Sequence, residues 1–316
     1  MKKSELDPLF HGYAMLVINN LHSDGMTSTF AEYAQFHNER IEIMPDWQIA
    51  LPVITCLAAG GSVDDGIILA SAWVSYILAS EILDNVEDKE LIPDQFLTSP
   101  EVATNLATGL IFTSFRTLTS IKDAGKVRQI VGIFSGFGFD AVNGQHQDLT
   151  QTPLPVEVSL NNYWENTILK SGSIFRAATE GGAAAGEANE TIAEALGDYG
   201  TALGVMLQLM DDCRDAFNYS QEAINWEISL PLLLYLMAIG EENIIFPEVS
   251  SRSEWSNLLK KTGVIDAISS LLLQWKSRAL ESLTPLRKSR EKHILERIPS
   301  LFLERNPPIT DEVIDE

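Results

Sequence analysis

The chain is short of cysteine, of positive charge and of long apolar runs, and each shortage excludes a class of protein. Cys56 and Cys213 are the two cysteines in 316 residues. They stand far apart in apolar sequence without paired spacing, which excludes a zinc ribbon and fits reduced thiols in the cytoplasm. Lysine and arginine number 22 against 44 aspartates and glutamates, a formal net charge of −22. A surface so acidic neither tracks a phosphate backbone nor docks electrostatically on anionic lipid, so nucleic acid is not an expected partner. The apolar stretch from Ile228 to Gly240 is too short to cross a bilayer and contains Pro231, and the start, Met1 to Asp7, turns acidic where a signal peptide turns apolar. A cytoplasmic protein without stable membrane insertion is the expectation. The histidines His11, His22, His37, His146 and His293 show no ligand spacing, and no Ser-His-Asp or Cys-His grouping stands out. Gly136-Phe137-Gly138-Phe139 lacks a preceding strand, which argues against a nucleotide loop.

What is present is helical. Hydrophobic residues make up 45% and charged residues 21%, an ordinary globular composition. The run from Ile67 to Ala79 is apolar on nearly all sides and predicts a buried helix. Gly60-Gly61-Ser62 reads as a helix end followed by a helix start. Loops are expected from Asp88 to Pro100, Thr150 to Pro155, Phe217 to Ser229 and Ser250 to Ser253. Strand signals are scarce. The reading is all-α: one large helical bundle around a deep central cavity, a single domain over 1–316 with 306–316 as a frayed acidic tail. Between Gly172 and Gly186 small residues crowd together, which predicts close helix approach, a kink beside a cavity, or ordinary small-residue packing in a crowded core.

Two acidic clusters carry the chemistry. Asp84 and Asp88, in Asp84-Asn85-Val86-Glu87-Asp88, are four residues apart and share a helical face. Asp211 and Asp215, in Asp211-Asp212-Cys213-Arg214-Asp215, do the same. Like charges at this spacing destabilise a helix, and burial at the end of an apolar helix raises that cost. Divalent cations would remove both penalties, and oxygen ligands without supporting His or Cys point to Mg²⁺ or Mn²⁺ and away from zinc. A solvated acidic face explains one such pentamer; two of them, each closing a buried helix, are harder to explain that way.

The ordered set resembles the trans-type polyprenyl diphosphate synthases. The matching elements are Asp84-Asn85-Val86-Glu87-Asp88, Gly144-Gln145-His146-Gln147-Asp148-Leu149, Lys170-Ser171-Gly172-Ser173-Ile174-Phe175, Gln208-Leu209-Met210-Asp211-Asp212-Cys213-Arg214-Asp215 and Ser229-Leu230-Pro231-Leu232-Leu233-Leu234. The resemblance implies an isoprenoid synthase fold, a prenyl diphosphate substrate, three Mg²⁺ ions (Mn²⁺ being the alternative) and a homodimer. It implies that Asp84, Asp88, Asp211 and Asp215 bind the metal, with Asp212 nearby as part of the same metal site. Lys170 and Gln208 would face the allylic diphosphate or its cation, Gln145 would line the cavity and Asp148 would support the fold. Arg214 would join Lys170 in neutralising the leaving diphosphate. Ala79 and Ser80, one turn before Asp84, leave the pocket open, and Tyr76 and Trp73 further down would close it at a twenty-carbon chain. Tyr76, Phe137, Phe139 and Trp164 are candidates to shield a carbocation through their rings.

The chain departs from the family in one direction. Where elongating members carry Gly-Lys-x-x-Arg-Pro to grip isopentenyl diphosphate, it has Trp47-Gln48-Ile49-Ala50-Leu51-Pro52. The Arg-Arg-Gly expected after the first motif is replaced by Lys89-Glu90-Leu91-Ile92-Pro93, and the later Gly-Lys-x-Thr-Leu-Pro by Trp226-Glu227-Ile228-Ser229-Leu230-Pro231. The cations for a second diphosphate are gone while the ionising carboxylates remain. Cyclisation in the manner of a terpene synthase is the leading expectation. The alternatives are a prenyltransferase, elongating or acting on a non-isoprenoid acceptor as in the similar competence-pheromone tryptophan prenyltransferases, and a non-catalytic partner subunit.

Overall fold

In the computed structural model, residues 3–23, 44–89, 98–150, 152, 154–217, 228–249 and 251–305 are described. Twelve α-helices and one π-helical turn account for most of them: α1 Lys3–Ser23, α2 Asp46–Ala59, α3 Val63–Glu87, α4 Pro100–Leu118, α5 Ala124–Leu149, α6 Val156–Thr167, the π-turn Ile168–Gly172, α7 Ser173–Ala185, α8 Glu190–Phe217, α9 Leu230–Ala238, α10 Arg252–Lys261, α11 Val264–Ser282 and α12 Arg290–Arg305. Among the described residues, β structure is limited to one isolated bridge, between Pro155 and Asn243. The all-α reading holds, and the tail 306–316 lies outside the described residues.

Local chemistry sets the breaks between helices. Gly60, at φ 101°, adopts the left-handed conformation that closes α2, and its N–H returns to the α2 carbonyls. Ser62 then caps α3, its hydroxyl accepting from the Asp65 N–H at 3.1 Å. Ser99 caps α4 just ahead of Pro100, and the Asp123 carboxylate accepts from the Gly125 and Lys126 N–H groups at the start of α5.

The run from Ile67 to Ala79 lies inside α3, whose Leu69, Ala70, Ala72, Trp73 and Val74 are fully buried. By length and composition α3 could cross a membrane, but two thirds of its most apolar window is enclosed by the rest of the protein, as in a core helix. Beside it lies α7, the small-residue segment, packed against α2, α3, α5 and α8. Close approach is the reason for its glycines. A methyl group on Gly182 would lie 2.1 Å from the Thr55 hydroxyl of α2, and one on Gly181 would lie 3.2 Å from both Leu69 and Phe134. From α8, Gly200 and Gly204 approach the Phe175 and Ser171 carbonyls in the same way. The result places the C-terminal ends of α3, α5 and α8 around one short turn.

Candidate active site

That turn is the π-helix Ile168–Gly172. Its wider winding lets two adjacent residues reach two different helices, and π-turns recur at functional sites for such reasons. Lys170 reaches back to the first acidic motif, its Nζ 2.7 Å from Asp84 Oδ1 and 3.7 Å from Asp148 Oδ2 of α5. Ser171 reaches forward to α8, its hydroxyl donating to Gln208 Oε1 at 2.7 Å. A Cβ on Gly144 would meet the Lys170 N–H at 2.8 Å, so a glycine there lets α5 approach the turn.

The remaining contacts tie the helix ends together. Gln145 donates from Nε2 to Asp88 Oδ1 at 3.2 Å, joining α5 to α3. Asn166, at the end of α6, donates to Asp148 Oδ1 at 2.9 Å. Asp211 lies beside the Arg214 guanidinium one turn on in α8, so Arg214, itself largely exposed, pairs within its own motif. Asp215 is in α8, with its side chain outside the description. Asp212 is turned inward: Oδ1 accepts from Gln208 Nε2 at 2.9 Å and Oδ2 from the Leu230 N–H at 3.3 Å.

The electrostatics call for cations. A helix C-terminus carries partial negative charge, and carboxylates placed there are disfavoured. Yet α3 carries Asp84 in its last turn with no basic residue there, and Asp148 and Asp211 likewise fall in the last two turns of α5 and α8. Burial alone would lower the Lys170 pKa, but the Asp84, Asp148 and Asp88 carboxylates outweigh it and hold the ammonium above its ordinary value. One lysine does not balance this set. Among the described residues, no three His, Cys, Asp or Glu side chains stand close enough to enclose an ion by themselves. The donors are carboxylate oxygens on helices that face one another, which suits Mg²⁺ shared between protein and phosphate oxygens.

Some expected residues are placed differently. Trp73 is fully buried, its Nε1 donating to the Ile174 carbonyl at 3.0 Å and its ring edge-on to Phe175 at 5.5 Å, so it is a core residue pinned to α7. Tyr76 is one turn nearer the acidic end, with its ring against Phe134 at 5.9 Å and its hydroxyl where a side chain on Gly138 would be. Ala79 is fully buried, and Ser80 donates to the Tyr76 carbonyl. Phe139 is 66% exposed and cannot shield a carbocation inside the bundle, because its side of α5 faces outward. Phe137 lies under the Arg176 guanidinium, and Trp164 packs between Tyr163 and Trp275. Ser171 and Asn166 make contacts that the motif reading left without a role. Ser171 sits inside a quoted motif, whereas Asn166 carries no sequence signal.

The positions where the resemblance expects cations are filled by other groups. Leu51 is fully buried and Gln48 nearly so, and α2 carries no lysine or arginine. Trp226 and Glu227 lie outside the described residues.

Residues 97–225 match the Polyprenyl synthetase family, a span that holds Gln145, Asp148, Lys170, Gln208 and the second acidic motif. The tryptophan prenyltransferase ComQ of Bacillus subtilis subsp. natto is 28% identical over 228 residues, covering 66% of this chain and 67% of that one. A short chain isoprenyl diphosphate synthase of Methanocaldococcus jannaschii is 25% identical over 172 residues, 52% of this chain and 51% of its own. Among solved structures, a geranylgeranyl pyrophosphate synthetase of the archaeon Geoglobus acetivorans superposes with a TM-score of 0.83 at 16% identity, covering 96% of this chain and all of that one. A Caulobacter crescentus polyprenyl synthase, solved with calcium and isoprenyl diphosphate, superposes at 0.76 with 20% identity, covering 96% of this chain and 98% of that one. The two relatives matched by sequence are a transferase and a synthase by name, and the cyclisation expected from the missing cations finds no support in them. With the motif order, they make the chain similar to the polyprenyl synthetases, and the superpositions give it the all-α isoprenoid synthase fold.

Proposed function

We propose that this chain is a single-domain, cytoplasmic, Mg²⁺-dependent prenyltransferase that takes a twenty-carbon allylic diphosphate and delivers its prenyl group to a neutral, non-isoprenoid acceptor. The observation that carries the reading is the π-turn whose Lys170 and Ser171 join the two acidic helices around a set of carboxylates one lysine cannot balance. Asp84, Asp88, Asp211 and Asp215 would hold the metal. Bound there, three Mg²⁺ ions would neutralise the diphosphate and make it a better leaving group.

The chain's own residues do the rest. Lys170 presents its ammonium to the diphosphate as the allylic C–O bond breaks and the electron pair leaves with oxygen. Gln208 and Ser171 present polar oxygens beside the cation formed at C1. Gln145 keeps Asp88 oriented. A nucleophilic carbon of the acceptor then bonds to C1 and passes its proton to the departing diphosphate. A charge-assisted hydrogen bond to an anion contributes ~1.5–3 kcal/mol, so an α2 with Gln48 and Leu51 in place of cations disfavours isopentenyl diphosphate as the acceptor. An uncharged aromatic acceptor has no such need, and the likeness to a tryptophan prenyltransferase makes an indole the first class to try.

The same reading includes a homodimer. Phe112 and Phe139 on the consecutive helices α4 and α5 are 71% and 66% exposed, and Val142 is exposed beside them in sequence. Gly109, Gly132 and Gly136 lie mid-helix with open space where a side chain would be. Exposed helical glycine costs up to ~1 kcal/mol against alanine, a cost that close contact with a second copy would offset.

The test is a product assay with Mg²⁺ and ten- to twenty-five-carbon diphosphates, each with isopentenyl diphosphate, with a tryptophan-containing peptide, or alone. A peptide heavier by one prenyl group supports the proposal. A longer diphosphate formed only with isopentenyl diphosphate would overturn the acceptor assignment, and a hydrocarbon formed from the diphosphate alone would overturn transfer.

A further inference from the structure

The second acidic motif has three aspartates, and the structure separates their tasks. The Asp211 side chain is 40% exposed, whereas Asp212 is buried. Each Asp212 oxygen has a protein donor, Gln208 on one side and the Leu230 N–H on the other. Leu230 is the first residue of α9, and Ser229, in the capping position, makes no side-chain cap. The first N–H groups of a helix lack partners within it and favour an anion. Asp212 supplies both a partner and a charge from eighteen residues upstream. The Tyr163 hydroxyl is buried against the same carboxylate.

The consequence reaches the reacting end. A primary amide has distinct donor and acceptor sides. An ionised Asp212 can only accept, so Gln208 turns its NH₂ inward and its Oε1 toward Ser171, whose hydroxyl donates to it. Ser171 is the neighbour of Lys170 on the π-turn. A continuous set of hydrogen bonds thus runs from the start of α9 through Asp212 and Gln208 to the turn that carries the lysine.

Resting on the transferase reading above, we propose that Asp212 is a positioning residue and not a metal ligand: by capping α9 and fixing the orientation of the Gln208 amide, it sets which face of Gln208 and Ser171 meets the allylic cation. On this proposal Asp212 leaves the group of metal-site aspartates in which its motif places it. A carboxylate already held by a donor on each oxygen and buried among helices is a poor ligand, while Asp211 next to it remains accessible.

The experiment compares Asp211→Asn, Asp212→Asn and the exchanged pair Asp212→Asn with Gln208→Glu. In the exchanged pair the amide introduced at position 212 would donate to the carboxylate introduced at position 208 and still accept from the Leu230 N–H, so the two links survive with the first reversed in direction. Mn²⁺ binding in the presence of inorganic pyrophosphate is followed by the electron paramagnetic resonance of the free ion, and turnover of geranylgeranyl diphosphate is followed separately. Asp211→Asn should weaken Mn²⁺ binding by about ten-fold or more, while Asp212→Asn stays within about three-fold of the parent. Asp212→Asn should nevertheless lower kcat about ten-fold with little change in KM, and the exchanged pair should regain much of that loss. Equal weakening of Mn²⁺ binding by Asp211→Asn and Asp212→Asn would overturn the inference and leave the metal reading intact. Unchanged binding in both Asp211→Asn and Asp84→Asn would bring down the metal reading, and this inference with it. Should Asp212→Asn not fold, Gln208→Met probes the link from its other end: unchanged Mn²⁺ affinity with lost turnover supports a positioning role, and tighter Mn²⁺ binding, by an Asp212 released from the glutamine, refutes it.

Discussion

Lys170 is the residue on which the site's charge turns. Its ammonium lies 2.7 Å from Asp84 and within reach of Asp148, at the C-terminal ends of two helices whose dipoles repel both carboxylates. Lys170→Met should therefore act twice. Turnover should fall by roughly 10²–10³, the loss typical of removing one preorganised donor to a developing anion. Stability should also fall, and millimolar Mg²⁺ with pyrophosphate should restore more of it in the variant than in the parent, since ions then supply the only compensation for Asp84. Thermal unfolding with and without Mg²⁺ measures this, and an equal Mg²⁺ response in both proteins would contradict the placement of the ion. Cys56 reports on the core instead. Burial pushes its thiol up to about 12 from the ordinary 9.0, with Asp65 adding to the shift. Unfolded chains lose that proton first, so the folded state binds more protons between pH 9 and 12 and stability falls as pH rises through that window. Each unit withdraws roughly 1 kcal/mol for this group. Melting temperatures from pH 8 to 10.5 should fall more steeply in the parent than in Cys56→Ala.

At the scale of the element, α3 is a ruler with the acidic motif at one end. Ser80, Tyr76 and Trp73 follow from Asp84 on roughly one face, but they differ in what holds them. Trp73 is bonded into α7, and Trp73→Ala should cost ~3–5 kcal/mol of stability with no change in preferred chain length. Tyr76 meets Phe134 and the bare backbone of Gly138. Tyr76→Ala should open that end and shift preference from twenty to twenty-five carbons, and a competition assay between the two diphosphates decides it. Much of this element was legible beforehand: the apolar run, the Gly60 stop and the Ser62 cap are local signals, and the structure places them as read. What local signals could not give is direction across the bundle. The expectation that Tyr76 and Trp73 close the pocket rests on spacing from Asp84, and the Ile174 carbonyl that fixes the Trp73 ring carries no local signal. Grouping Asp212 with the metal aspartates followed from sequence adjacency, whereas its orientation depends on a helix start eighteen residues later. The π-turn likewise escapes any search for a 3.6-residue period, yet it is what lets Lys170 and Ser171 face different helices.

At the scale of the molecule, α4 and α5 raise a problem that one chain does not solve. Their inner sides carry Leu110, Ile130 and Phe134 into the core, while their outer sides show Phe112, Phe139 and Val142 to water. Phe139, read from sequence as a candidate cation shield, belongs to this outer face. In a monomer the open glycines Gly132 and Gly136 weaken α5 for no return, and Gly136→Ala should then stabilise the protein by up to ~1 kcal/mol. In a dimer the same methyl group would intrude on the partner and destabilise. The two cases thus differ in sign. Phe139→Asp gives the complementary reading: it adds a charge to an apolar contact, so the protein should elute as a dimer in the parent and as a monomer in the variant by light scattering, with its helical signal kept. A net charge of −22 on each chain makes the association salt-dependent. Added salt screens the repulsion between two acidic subunits, so the parent dimer should tighten from low to physiological ionic strength, whereas contacts held by opposite charges would loosen.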